Sequence, residues 1–262
     1  MAIDRNGLKH GLRRQNGWLT LVTLLLGLLL WQAVVAVWRP PAFILPGPME
    51  VGLRFWRALT DGSLLRHTWV TLQEVLLGLL LGVSLATLLG YIIAKSRFFE
   101  QLLAPYLVAS QAIPIVALAP LLVIWFGPGM FSKILICALI VFFPVLVNTV
   151  VGLRAVPEHL RDLMKSLQAS RWQVLHHLEI PAALPVFLGG LRVGATLSVI
   201  GAVVGEFVGS DRGLGFLVNI GRGQYDTALV FVAILTLVAL ALALYGLVVL
   251  IESKALAWQA NR

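Results

Sequence analysis

The sequence predicts an all-α integral membrane protein with six transmembrane helices and both termini cytoplasmic, and three observations predict it. Hydrophobic residues fill 59% of the 262 positions and charged residues only 12%, against about 45–50% and about 25% in a water-soluble domain. Six apolar runs, at 19–38, 70–94, 104–126, 133–153, 186–208 and 227–251, match the roughly 20 residues that cross a hydrocarbon core of about 30 Å. The runs are continuously apolar rather than alternating, which selects helices over a barrel. Third, Lys and Arg divide unevenly between the segments that join the runs. One side holds Arg5, Lys9, Arg13, Arg14, Lys95, Arg97, Arg154, Arg161, Lys165, Arg171, Lys254 and Arg262, twelve in all; the other holds seven, Arg39, Arg54, Arg57, Arg66, Lys133, Arg212 and Arg222. The richer side is assigned to the cytoplasm. The net charge of +8 thus orients the chain against membrane lipid, and no nucleic-acid partner is expected.

Residues 1–18 read as a cytoplasmic segment and 19–38 as the first transmembrane helix. The basic start resembles that of a signal peptide, but the run is too long for its apolar region and lacks a small-residue cleavage site. The external segment 39–67 opens with Pro40, Pro41, Pro46 and Pro48. Val51, Phe55, Ala58 and Leu59 then recur at helical spacing beside Glu50, Arg54 and Arg57, which predicts a short amphipathic helix flat on the outer surface. The core, 68–251, holds the other five spans, and 252–262 is a cytoplasmic tail.

Within the core, Gly78, Gly82, Ala86 and Gly90 stand four apart in the second span. The fifth span repeats the pattern with Gly190, Gly194, Ser198 and Ala202, and again with Gly201, Gly205 and Gly209. Such rows let helix backbones approach closely. Pro105, Pro114 and Pro120 interrupt the third span and Pro144 the fourth, each removing a helical hydrogen bond. Polar residues inside spans face protein or water; Gln111, Asn148, Ser198 and Glu206 are the candidate pathway residues. Arg192 reads as a snorkelling side chain near the inner boundary. Cys137, the sole cysteine, reads as a small core residue. His176 and His177 point about 100° apart on a helix, so no metal site is expected.

The longest cytoplasmic loop, 154–185, is the most informative stretch. Pro157 suits a first helical position and Glu158 its positive end. Leu160, Leu163, Met164 and Leu167 follow as one apolar stripe. Ser170 and Gln173 form a capping box that starts a second helix. Trp172, Val174, Leu175 and Leu178 supply its apolar side, and Pro181 is read as its end. A stripe facing water is covered by the chain's own helices or by a groove on a partner.

This loop also resembles the cytoplasmic EAA loop of bacterial ABC importer permeases, whose pattern is E-A-A, three residues, G, nine residues, I, one residue, L-P. Asp162, Leu163 and Met164 occupy the E-A-A positions, Gln168 the glycine, then Leu178 and Ile180-Pro181 the end. The local text ASRWQ (169–173) and PAALP (181–185) is very like the family. The segment LLVIWFGPGMFSKI (121–134), Gly205-Glu206-Phe207 and Gly213-Leu214-Gly215 are similar to motifs of the nitrate/sulfonate/taurine branch. Leu163 and Met164 are bulkier than alanine, and Gln168 replaces a residue suited to a left-handed turn at a cost of about 1–2 kcal/mol.

The resemblance implies a type I ABC importer permease fold in the bacterial cytoplasmic (inner) membrane, with the loop as a coupling helix. It implies two ABC ATPase subunits, an extracytoplasmic substrate-binding protein, and a second permease chain forming a homodimer. It places ATPase coupling on Asp162, Leu163, Met164, Leu167, Gln168, Ala169, Ser170, Trp172, Leu178 and Pro181. The chain has no G-x-x-x-x-G-K-[ST], so ATP and Mg belong to the partner, and neither cofactor nor catalytic residues are expected here. The branch implies a small solute: nitrate, a sulfonate or taurine, or a vitamin precursor such as a pyrimidine or riboflavin. The alternative from another class is an ion-coupled secondary transporter or a channel.

Overall fold

A computed structural model describes residues 5–112 and 114–258. The side chains of Arg5, Lys9, Arg13, Arg14 and Gln111, and all of Arg262, lie outside the described residues. Helix α1 runs from Arg5 to Trp38, α2 from Pro48 to Thr60, α3 from Ser63 to Lys95, α4 from Arg97 to Ala112 and α5 from Ile115 to Phe126. Next come α6, Met130–Arg154, α7, Glu158–Ser166, and α8, Arg171–Val174. A π turn at Leu175–Glu179 leads into α9, Ile180–Gly209, followed by α10, Leu214–Gly223, and α11, Thr227–Ala255.

Among the described residues, five stretches are long and apolar enough to cross a membrane: Leu21–Trp38, Ser63–Lys95, Met130–Arg154, Arg171–Gly209 and Thr227–Ala255. The predicted third span at 104–126 is two helices, α4 and α5, with Pro114 extended at φ −68°, ψ 110° between them. Proline offers no N–H to the ladder, and Pro114 stands at the break between α4 and α5.

Helix α6 is the centre of the bundle, with α3 on one side and α9 on another. The glycine rows explain both seams. A Cβ on Gly78 would stand 2.2 Å from Cys137 Cβ, and one on Gly82 2.6 Å from the Ala138 carbonyl. From α9, a Cβ on Gly201 would lie 2.8 Å from Cys137 Cα, and one on Gly190 2.6 Å from Asn148 Cβ. Cys137 is fully buried where the two rows converge on α6, as a small core residue should be.

Helix α2 starts on Pro48, its first turn closed by Gly47 N–H donating to the Glu50 carboxylate at 3.0 Å. Its predicted apolar side turns into the bundle: Val51 and Ala58 join Leu214, Leu217, Val232 and Ala233 in one cluster, while Phe55 stays exposed. Arg54 Nε on the polar side bonds Asp226 at 2.8 Å, ahead of α11. Near its end α1 adds Trp31, stacked on Phe231 at 5.2 Å. Trp31 Nε1 also donates to the Pro46 carbonyl at 3.1 Å.

The reading of Pro181 as a helix end is corrected. The chain stays helical from Arg171 to Gly209. The Ile180 N–H reaches back to the Leu175 carbonyl, five residues away. That wider turn makes room for the Pro181 ring, whose clash with the preceding turn breaks an ordinary α-helix.

Candidate functional site

The 154–185 loop folds as one short helix, α7, and the start of the long helical stretch Arg171–Gly209, with a sharp corner between them. Pro157 caps α7 rather than opening it, with Glu158 as the first helical residue. At its other end the Ala169 N–H bonds the Met164 carbonyl at 3.0 Å and the Gln168 N–H the Lys165 carbonyl at 2.9 Å. That pair of bonds is a Schellman closure, and it needs a left-handed residue at Gln168, whose φ is +51°. The cost foreseen for Gln168 is therefore met in the fold. Ser170 then caps α8: its N–H donates to Gln173 Oε1 at 2.8 Å, and the Gln173 N–H returns to Ser170 Oγ at 3.3 Å.

The predicted apolar stripe divides. Leu160 and Met164 are partly covered, while Leu163 and Leu167 face out at 54% and 67% exposure. Trp172, 72% exposed, continues that ridge across the corner and stacks on His176 at 6.2 Å. Leu178 and Pro181 are half-buried on the inner side of the loop. Asp162 is exposed and bonds Lys165 at 2.8 Å; that ammonium group holds its carboxyl below the usual carboxylate range.

Polar contacts of three basic residues fasten this corner to the spans. Arg161 Nη2 donates to the Leu153 carbonyl at the end of α6 at 2.8 Å. Arg154 pairs with Glu100 of α4 and donates to the Ile93 carbonyl of α3 at 3.3 Å. Lys95 Nζ, at the end of α3, stands 2.5 Å from Oε1 of Glu179, a buried residue of the π turn. The loop is therefore tied to α3, α6 and α9.

Of the candidate pathway residues, Glu206 is fully buried at the far end of α9. It accepts from Thr71 Oγ1 at 2.6 Å and from the Gly215 N–H. Thr71 Oγ1 in turn accepts the Leu214 N–H at 2.8 Å, and His67 Nδ1 the Gly213 N–H at 2.9 Å. Lys133 adds a bond to Ser210 Oγ at 2.6 Å and lies 3.6 Å from Glu74 Oε1. Together these pin the 210–215 turn onto α3, α6 and α9. Asn148 packs on Gly190 with Nδ2 donating to the Pro144 carbonyl at 2.8 Å, and Ser198 is buried with its hydroxyl on the Ala195 carbonyl at 2.7 Å.

Sequence reasoning missed Lys133, Glu179 and the partner of Arg192. Lys133 read as a loop charge, yet it is buried. Arg192 pairs with Glu252 of α11 and lies over the Tyr245 ring at 5.5 Å. The only sequence signal for such pairs is a lone charge inside an apolar run, which names one partner and not the other.

Comparison with known proteins gives a consistent likeness. Residues 78–256 match the family described as Binding-protein-dependent transport system inner membrane component. The Riboflavin transport system permease protein RibX of Chloroflexus aurantiacus is 51% identical over 92% of this chain and 90% of its own length. The Formylaminopyrimidine transport permease protein ThiX of Halalkalibacterium halodurans is 34% identical over 90% of this chain and 93% of its own. A solved structure of the MetNI methionine ABC transporter in an inward facing conformation superposes with a TM-score of 0.65 at 18% identity, over 74% of this chain and 96% of that one. At that identity the superposition speaks for the fold alone.

Proposed function

The chain belongs to the binding-protein-dependent transport system inner membrane component family, and on that premise we propose a coupling mechanism and a substrate class for this permease subunit of an ATP-driven importer. The observation that carries the mechanism is the exposed ridge of Leu163, Leu167 and Trp172 on a corner fastened to α3, α6 and α9. Large exposed apolar side chains on a rigid corner are the form of a helix-in-groove contact. An ATPase groove grips the ridge, and its closure tilts the corner. The polar contacts pass that motion to the three core helices as a rigid body.

In this reading both termini are cytoplasmic, and α4 and α5 together make the sixth crossing. Two copies of the chain form the pathway, two ATPase subunits bind the corners, and an external binding protein delivers the solute. ATP and Mg are held by the ATPase. The relatives' names favour riboflavin or a pyrimidine precursor as the solute, and the 51% identity to the riboflavin permease ranks riboflavin first.

The test is purification in mild detergent from the native host, with mass spectrometry of what accompanies the chain. A P-loop ATPase at about one copy per permease chain is expected for two grips on two corners. A chain that emerges alone, even after crosslinking, overturns the coupling mechanism.

A further inference from the structure

Helix α2 has a face that the bundle does not use. Glu50, Leu53, Arg54 and Arg57 recur at i, i+3, i+4 and i+7 and form one stripe. The stripe is one wall of a cleft of about 360 Å³, whose other walls are the turn at 42–46 and the segment 225–228 that opens α11. Two bonds brace the cleft: Arg54 Nε to Asp226 at 2.8 Å, and Thr227 Oγ1 to the Phe43 carbonyl at 2.5 Å. The cleft lies beside the start of α3, whereas the coupling corner is fastened to its end at Lys95. The 33 residues of α3 set the two roughly 50 Å apart.

The acidic groups on this side are already engaged. Glu50 accepts the Gly47 N–H at 3.0 Å and Asp61 the Ser63 N–H at 2.7 Å. Asp226 holds Arg54, and Asp211 lies 3.6 Å from Arg212 Nε. Arg39, Arg57 and Arg222 are exposed and pair with no carboxylate among the described residues; of these three, Arg57 lines the cleft. Tyr225 sits on the rim, 76% exposed, at φ +57°. Its N–H bonds the Arg222 carbonyl at 3.3 Å and the Asp226 N–H the Gly221 carbonyl at 2.8 Å, the Schellman closure of α10. Glycine serves that position without strain, so the fold alone gains nothing from a tyrosine there. Its ring stands edge-on to Phe43 at 6.4 Å, and Phe43 is itself 54% exposed.

We infer that this cleft is the seat of the external binding protein, from which it takes an acidic side chain with an apolar neighbour. The inference rests on the importer reading and deepens it by naming where that partner docks. Arg57 receives the carboxylate, and Phe43 and Tyr225 flank the apolar neighbour, the aromatic-and-arginine composition of an interface anchor. The distance from the coupling corner separates this partner from the ATPase. Membrane lipid fits less well, because Gly52 and Phe55 turn the apolar groove of α2 to the other side of the helix. A headgroup in the cleft has no adjoining bed for its chains.

The experiment uses the intact permease–ATPase complex in nanodiscs of phosphatidylethanolamine and phosphatidylglycerol. The probe is the external binding protein that crosslinks to the complex in the native host, identified by mass spectrometry and purified. Arg57→Glu is expected to weaken its binding about thirtyfold or more. Tyr225→Gly weakens it about tenfold while the melting temperature does not fall, a split that a merely structural tyrosine does not produce. Arg39→Glu, on the same side but outside the cleft, changes affinity less than about threefold. Wild-type affinity in either cleft variant, or equal losses in Arg57→Glu and Arg39→Glu, overturns the inference. So does native mass spectrometry that finds one phosphatidylglycerol retained per chain and lost in Arg57→Glu, with binding-protein affinity unchanged. An ATPase-bearing complex to which no external protein crosslinks overturns it as well. Failure of the importer reading is seen separately, as absence of the ATPase from the purified complex.

Discussion

Lys95 Nζ stands 2.5 Å from Glu179 Oε1, closing the end of α3 onto the π turn that feeds α9. Lys95 is 42% exposed and Glu179 only 2%, so the two halves of the pair are not equivalent. Lys95→Met strands a buried carboxylate; allowing for the screening of an exposed ammonium, it is expected to cost about 1–2 kcal/mol. Adding Glu179→Gln removes the stranded charge and returns most of that loss. Thermal unfolding in detergent of the single and double variants checks the order, and a double variant less stable than Lys95→Met sinks it.

Gln168 sits at φ +51° to close α7. Gln168→Gly relieves left-handed strain while adding freedom to the unfolded chain, so the net gain is about 0.5–1 kcal/mol. Gln168→Val, β-branched at the same φ, destabilises. Uptake stays near wild type in Gln168→Gly, because the corner keeps its shape. A melting temperature that falls in Gln168→Gly contradicts the strain argument.

The loop and the seams were legible in the sequence because their information is local. Ser170 and Gln173 are three apart, Met164 to Ala169 is one turn, and the Gly78 and Gly190 rows declare their faces by spacing alone. Charge pairing was not legible: Lys133 with Glu74, Lys95 with Glu179 and Arg192 with Glu252 join helices far apart in the chain. The π turn was hidden for a different reason. Pro181 reads as a stop signal for an α-helix, and the helix continues through it behind a π turn that spacing alone does not announce. At Pro114 the same residue type stands between two helices.

Leu163 and Met164 occupy neighbouring positions in the loop but differ in burial. Leu163 is exposed and Met164 half-buried. Leu163→Arg is therefore expected to leave the melting temperature unchanged and to abolish ATPase co-purification. Met164→Arg lowers both, since a charge must leave the underside of α7. If Leu163→Arg retains the ATPase and full uptake, the ridge is not the grip.

The contact between Gly78 and Cys137 is testable as a swap. A Cβ added at Gly78 falls 2.2 Å from Cys137 Cβ, so Gly78→Ala forces α3 from α6 and is expected to cost about 3 kcal/mol. Cys137→Gly removes the atom it strikes. The double variant should recover much of the loss, with a coupling energy of about 2 kcal/mol in a double-mutant cycle. Gly201→Ala is the control. Its added Cβ meets Cys137 Cα at 2.8 Å, an atom that Cys137→Gly keeps, so no recovery is expected there. Equal recovery at both positions means that Cys137→Gly loosens α6 in general, and the contact at Gly78 is then not what limits the seam.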